Sequence, residues 1–107
     1  MNYVFDIDGT LCTNTHGDYS KAKPFVKRIQ KINELFDQGN RIILFTARGM
    51  GTNDNNVEIA KSKWEALTKE QLTVWGVKYH QLFLGKPAGD LYIDDKAVSD
   101  SDFFETS

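Results

Sequence analysis

The 107-residue sequence has a single cysteine, no large excess of either charge and no long apolar run. Because Cys12 has no second cysteine to pair with, an intrachain disulfide framework is excluded. Thirteen basic residues against fifteen acidic ones give a net charge of −2, so the chain lacks the basic field that collects nucleic acid or anionic lipid. The longest aliphatic and aromatic run, Ile42 to Phe45, is far shorter than the roughly 20 residues that span a bilayer.

The beginning of the chain has no basic segment and reaches an acid at Asp6, which argues against a secretory signal. Hydrophobic residues make up 40% and charged residues 26% of the sequence, values typical of a globular domain. No linker, repeat or low-complexity stretch divides the chain. We therefore expect one soluble, cytoplasmic domain over residues 1–107, with no nucleic-acid partner and no membrane partner.

Four short segments rich in β-branched and aromatic residues predict strands, namely Asn2–Ile7, Arg41–Thr46, His80–Leu84 and Leu91–Asp94. The second of them is apolar on both faces, which is typical of a parallel strand covered on both sides. Helical periodicity predicts a helix over Pro24–Gly39 and a second helical region over Val57–Gly76. Thr68 and Gln71 fit a capping box, which predicts a break in that second region. A short helical turn is predicted in the tail, within Ser99–Ser107.

This order of elements indicates an α/β fold with a parallel sheet flanked by helices. Ligands of such sheets bind at the carboxyl ends of the strands. Every predicted strand delivers polar side chains to that edge, and they are Asp6 and Asp8, Thr46 and Arg48, Lys86, and the pair Asp94 and Asp95. Each of these short motifs alone would be an ordinary turn or helix cap, but their combination favours a site.

The predicted edge has the chemistry of a phosphoryl site. Four carboxylates gathered together repel one another and need a cation, and oxygen ligands of this kind favour Mg²⁺. The metal and the Lys86 ammonium would neutralise phosphoryl oxygens, and the Thr46 hydroxyl and backbone N–H groups would hold them. An aspartate near the phosphorus can act as a nucleophile. A second aspartate two residues later points to the same side of an extended chain and can act as a general acid.

Four motifs resemble, in order, those of the haloacid dehalogenase superfamily of phosphohydrolases. They are Asp6-Ile7-Asp8-Gly9-Thr10-Leu11, Phe45-Thr46-Ala47-Arg48, Gly85-Lys86-Pro87 and Tyr92-Ile93-Asp94-Asp95. Further segments resemble the small bacterial phosphatases of capsule biosynthesis, a group associated with capsular and lipopolysaccharide sugar pathways; among them are Gly17-Asp18-Tyr19, Ala22-Lys23-Pro24 and Val77-Lys78-Tyr79. The resemblance implies a three-layer, Rossmann-like sandwich with a central, mainly parallel sheet.

The same resemblance implies a role for each matching residue. Asp6 would be the nucleophile that forms an aspartyl-phosphate and a ligand of Mg²⁺. Asp8 would be the general acid, then the base that activates water, and its carbonyl would also bind the metal. The phosphoryl group would be held by Thr46, Ala47 and Lys86. Asp95 would be the direct metal ligand and Asp94 an indirect or alternative one.

Two residues are weaker candidates for substrate contacts. Arg48 is a candidate from its motif, and His16 from its place in the loop beside the predicted site.

Superfamily members with caps insert a domain after the first motif or between the second and third. Here these gaps hold only a loop and core-sized helical segments, so the chain resembles a capless member. An open site of this kind would need the loop over residues 10–23 or a second copy of the chain to cover a small substrate.

The resemblance implies a Mg²⁺-dependent phosphatase that acts on a small phosphate ester, a sugar phosphate of capsule or lipopolysaccharide biosynthesis. One alternative is a receiver-type phosphoacceptor module, which also gathers acids, a Thr and a Lys around Mg²⁺. Its acceptor aspartate should end a strand between Asp8 and Thr46, where only Asp18 and Asp37 occur, in a loop and near a helix end. Another alternative is a non-catalytic partner of a polysaccharide-biosynthesis enzyme, against which the intact acids argue.

Overall fold

The computed structural model describes residues 1–105, and most of the predicted elements are present. The strands are β1 (Asn2–Phe5), β2 (Arg41–Thr46) and β3 (Gln81–Leu84). The helices are α1 (Val26–Asp37), α2 (Val57–Val74) and α3 (Asp100–Glu105), and a 3₁₀ turn occupies Tyr19–Lys21. The last two positions of the predicted tail helix, 106 and 107, lie outside the described residues. None of the described helices has both the length and the apolar character needed to cross a membrane.

The three strands form one parallel sheet in the order β1-β2-β3, so β2 is central. Tyr3 lies opposite Ile42 on β2, and Leu44 lies opposite Leu82 on β3. All three strands therefore end at the same edge of the sheet. This arrangement confirms the predicted α/β class and the parallel sheet.

One face of the sheet carries the hydrophobic core. Ile42 and Leu44, two residues apart on β2, are fully buried. Ile32 of α1 and Leu72 of α2 are fully buried in the same cluster. Since both helices contribute to the core on this face, they lie on the same side of the sheet. The handedness rule explains this, because two crossovers that step in one direction across a sheet place their helices on one face.

The other face of the sheet is more open than the sequence predicts. Val4 on β1 is 61% exposed and Phe83 on β3 is 48% exposed, while Ile43 and Phe45 on β2 are half-buried. Strand β2 is therefore fully covered on one side only, and not on both sides as predicted. The described residues form a small sheet with a helical layer on one face, and the predicted three-layer sandwich is not seen.

The fourth predicted strand, Leu91–Asp94, is absent. These residues are irregular, and Leu91 and Ile93 are 77% and 91% exposed. A strand parallel to its neighbours needs a crossover connection of about a dozen residues or more. Only residues 85–90 separate the end of β3 from Leu91, which is too short a connection for such a crossover.

The predicted break in the second helical region is also wrong. Helix α2 runs without interruption from Val57 to Val74. Its true amino-terminal cap is Asn56, whose side chain accepts a hydrogen bond from the Ile59 N–H. The Thr68 hydroxyl instead donates to the Trp64 carbonyl one turn earlier in the same helix, so it caps nothing.

Helix α1 ends as predicted, at a glycine that the backbone geometry requires. Gly39 has φ +94°, a conformation that side chains with a Cβ adopt only under strain. Its N–H donates to the Phe36 carbonyl, and the Asn40 N–H donates to the Leu35 carbonyl. These two bonds satisfy carbonyls that the end of the helix would otherwise leave free.

Replacing Gly39 with alanine should lower the free energy of unfolding by about 1 kcal/mol, because the new Cβ strains a left-handed backbone. Urea denaturation of both proteins measures the change. Gly51→Ala is the matched control, since Gly51 has no positive φ and its added Cβ would only touch the Ala88 Cβ at 3.7 Å. An equal loss of stability in the two variants would contradict this account of the helix end.

Candidate active site

Residues at the ends of all three strands lie together at the carboxyl edge of the sheet. Asp6 directly follows β1, and its Oδ1 lies 3.7 Å from the Nζ of Lys86, which follows β3. The backbone N–H of Lys86 donates to the carbonyl of Thr46, the last residue of β2. The prediction that one sheet edge collects these groups is therefore confirmed for three strands.

The Asp6 carboxylate is partly buried beside a cation. Burial raises the pKa of Asp6 above its ordinary value, while the Lys86 ammonium and the Ile7 N–H oppose that rise. Lys86 itself is held from a second side, since its Nζ lies 4.1 Å from the centre of the Tyr92 ring. As a result, a carboxylate and an ammonium lie side by side at the carboxyl edge of the sheet.

A tight turn after β1 carries Asp8 to the same edge. Gly9 has φ +85°, and the N–H groups of Thr10 and Leu11 both donate to the Ile7 carbonyl. The Asp8 side chain is 17% exposed, and each of its two oxygens accepts a hydrogen bond from Arg48. Asp6 and Asp8 thus have different partners, an ammonium for the first and a guanidinium for the second.

The segment that follows β2 is tightly packed. Thr46 is buried, and its Oγ1 accepts a hydrogen bond from the Arg48 N–H at 3.2 Å. The Ala47 carbonyl accepts from the Met50 N–H. Gly49 has φ +77°, and an added Cβ would lie 2.5 Å from the Trp64 ring. Only glycine allows the chain to turn this close to α2.

The Arg48 side chain is not accessible to a substrate, although the sequence predicted a substrate contact there. Its side chain has no exposed surface. The guanidinium is used internally, by Asp8 on one side and by Thr68 and Gln71 of α2 on the other. Arg48 is therefore part of the wall of the site, and its assignment as a substrate contact is wrong in this arrangement.

Three other predicted residues are not brought into the site. Asp94 and Asp95 are exposed on the irregular segment that replaces the fourth strand. The N–H of Lys96 donates to Asp94 Oδ1 and lowers the pKa of that carboxyl. His16 is exposed in a turn with φ +54°. Within residues 1–105, no group of three or more histidine, cysteine, aspartate or glutamate side chains is arranged to hold a metal ion.

Sequence reasoning missed the residues that surround Arg48. Thr68 and Gln71 fit a capping box in the sequence, yet they are three residues apart on a continuous helix and so share one face. Polar residues on the otherwise apolar stripe of α2 are the signal that could have identified them. Tyr19 and Cys12 also contact the guanidinium, and nothing in their local sequence indicates it.

The chain is similar to a solved protein from Vibrio cholerae, an MCSG target known from its crystal structure. The two are 32% identical over 96% of this chain and 86% of that one, with a TM-score of 0.89. The chain belongs to the same family as this Vibrio cholerae protein. A scan of protein-family models finds no match, and a search of curated proteins finds none.

The single thiol should be unreactive in the folded protein. Cys12 is fully buried, and burial, followed by the negative charge of Asp8, raises its pKa to about 12. Since the thiolate is the nucleophile, we expect labelling by an aromatic disulfide reagent at about pH 8 to be at least about a hundred-fold slower than in concentrated urea. The absorbance of the released thiol measures both rates. Comparable rates in the two conditions would show that Cys12 is accessible.

Proposed function

We propose that this protein is a phosphoric monoester hydrolase of the haloacid dehalogenase type, without a cap domain, acting on a sugar phosphate of capsule or lipopolysaccharide biosynthesis. The observation that supports it best is the pair formed by Asp6 and Lys86, 3.7 Å apart at the carboxyl edge of a parallel sheet. A carboxylate beside an ammonium combines a nucleophile with a group that attracts phosphoryl oxygens. The four motifs of the sequence supply the reaction class, and the further segments that resemble capsule-biosynthesis phosphatases supply the substrate class.

In the proposed first step, a carboxylate oxygen of Asp6 forms a bond to phosphorus while the bond from phosphorus to the ester oxygen breaks. Asp8 gives its proton to the departing alcohol. In the second step Asp8 takes a proton from water, whose oxygen attacks the phosphorus and releases Asp6 and inorganic phosphate. Lys86 offsets the negative charge of the transferring oxygens in both steps.

The set of magnesium ligands predicted from the sequence does not fit this structure. Of the four carboxylates expected to hold the ion, Asp94 and Asp95 lie exposed on an irregular segment. Both oxygens of Asp8 are used by Arg48. Asp6 is the remaining carboxylate, and the Asp8 ligand that the resemblance implies is its backbone carbonyl, which Arg48 does not use. These two oxygens completed by water and a substrate phosphate are an arrangement that Mg²⁺ accepts. Magnesium therefore stays a prediction, and no step above depends on it.

Asp6→Asn should abolish turnover while the protein stays folded, because an amide is a poor nucleophile. We expect phosphate release from sugar phosphates and from p-nitrophenyl phosphate to fall by at least about a thousand-fold. Asp37→Asn is the matched control, as it makes the same chemical change in an exposed ion pair with Lys78. If Asp6→Asn keeps near-normal turnover, Asp6 is not the nucleophile.

Magnesium should raise the melting temperature of the wild-type protein, because an ion that binds only the folded state stabilises it. If Asp95 is the direct ligand, as its motif implies, Asp95→Ala should lose most of that rise. Asp90→Ala, an equivalent change at an exposed acid in the same segment, should keep it. A full rise in Asp95→Ala combined with none in Asp6→Asn would assign the ion to Asp6 and not to Asp95. A full rise in both variants would place it elsewhere.

A further inference from the structure

Arg48 is a fully buried arginine whose hydrogen bonds are directed at Asp8. Its Nε lies 2.9 Å from Asp8 Oδ2 and its Nη2 lies 3.0 Å from Asp8 Oδ1. These two parallel bonds form the planar fork in which a guanidinium holds a carboxylate. Such a fork fixes the plane of the carboxylate as well as its distance, which a lysine ammonium cannot do.

The other side of the guanidinium is fixed as completely. Nη1 donates to Thr68 Oγ1 at 3.1 Å and to Gln71 Oε1 at 2.6 Å. The second hydrogen of Nη2 faces Cys12 Sγ at 3.9 Å, so every N–H of the group has an acceptor. The Tyr19 ring lies 5.0 Å from the guanidinium carbon. No donor of Arg48 is left for a substrate.

Gln71 extends the network to the loop that precedes α1. Its Nε2 donates to the Tyr19 carbonyl at 2.7 Å, while its Oε1 accepts from Arg48. The Tyr19 hydroxyl in turn accepts from the Gly49 N–H. Helix α2, the loop at Tyr19 and the end of β2 thus all fix Arg48, and Arg48 fixes Asp8.

We propose that Arg48 is a positioning residue that sets the orientation of the Asp8 carboxylate, and that Thr68 and Gln71 of α2 hold Arg48 in place for this task. The inference rests on the proposed function, in which Asp8 exchanges a proton with the leaving alcohol and then with water. Proton transfer requires hydrogen-bond reach of the reacting oxygen, so a carboxylate that can rotate loses efficiency. Arg48 therefore acts on the reaction through Asp8 and not by touching the phosphate ester.

The test compares Arg48→Lys with wild type on two substrates. One is a sugar phosphate, whose alkoxide leaves only with a proton, and the other is p-nitrophenyl phosphate, whose phenolate leaves without one. We expect kcat on the sugar phosphate to fall by about a hundred-fold, with KM within about twofold, since small misplacements of a catalytic group cost this much. The loss on p-nitrophenyl phosphate should be at least about tenfold smaller, because only the alkoxide needs the acid.

Two further variants separate positioning from stability. Gln71→Met removes one acceptor of Arg48 without touching Asp8 and should show the same substrate-dependent loss on a smaller scale. Gln71→Met also tests the proposal if Arg48→Lys does not fold. Ile32→Val is the matched control, since it weakens the core without removing a hydrogen-bonding group of the network and should leave the ratio of the two rates unchanged. In an Asp8→Asn background, Arg48→Lys should add less than about a twofold loss.

Equal losses on both substrates, a rise in KM with unchanged kcat, or a full additional loss in the Asp8→Asn background would overturn the inference. Crystal structures of wild type and Arg48→Lys give a readout that does not depend on activity. A rotated Asp8 carboxylate in the variant supports positioning, and an unchanged carboxylate overturns it. Failure of the proposed function has a different signature, namely wild-type protein that releases no phosphate or an Asp6→Asn variant that remains active.

Discussion

The buried ion pair between Asp8 and Arg48 links three parts of the chain that are far apart in sequence. A charged side chain without exposed surface is costly unless it is paired and fully hydrogen-bonded. Arg48 meets this condition only when the turn after β1, the end of β2 and the second half of α2 are all in place. The arrangement of the sheet edge and that of the helical layer are therefore coupled through one guanidinium.

Because of this coupling, the two cations of the candidate site have different roles. Lys86 keeps some exposed surface and lies beside Asp6. Arg48 is sealed in the wall behind Asp8. The two aspartates, two residues apart in the sequence, are thus placed in unlike surroundings by the cation that each one meets. Different roles for two chemically identical side chains require this kind of difference in environment.

The sheet has one covered face and one partly open face, and both follow from its topology. With strands in the order β1-β2-β3, successive right-handed crossovers place α1 and α2 together. Val4 and Phe83 stay largely exposed on the opposite face. The segment at Leu91–Asp94 follows β3 too closely to return as a parallel strand. The predicted metal ligands of that segment stay outside the site for the same reason.

The sequence by itself determined the elements whose signals are local. Periodic apolar residues and a terminal glycine predicted α1, the run at Arg41–Thr46 predicted β2 with its observed bounds, and the strand-end rule predicted that Asp6, Thr46 and Lys86 meet. Only the tertiary structure decided that α2 is continuous, that Leu91–Asp94 is not a strand and that Arg48 faces inward. Those outcomes depend on which distant groups satisfy a buried charge and on whether a connection is long enough to cross the sheet. The first condition cannot be read from the neighbours of a residue in the chain, and the second requires knowing which strands the connection has to join.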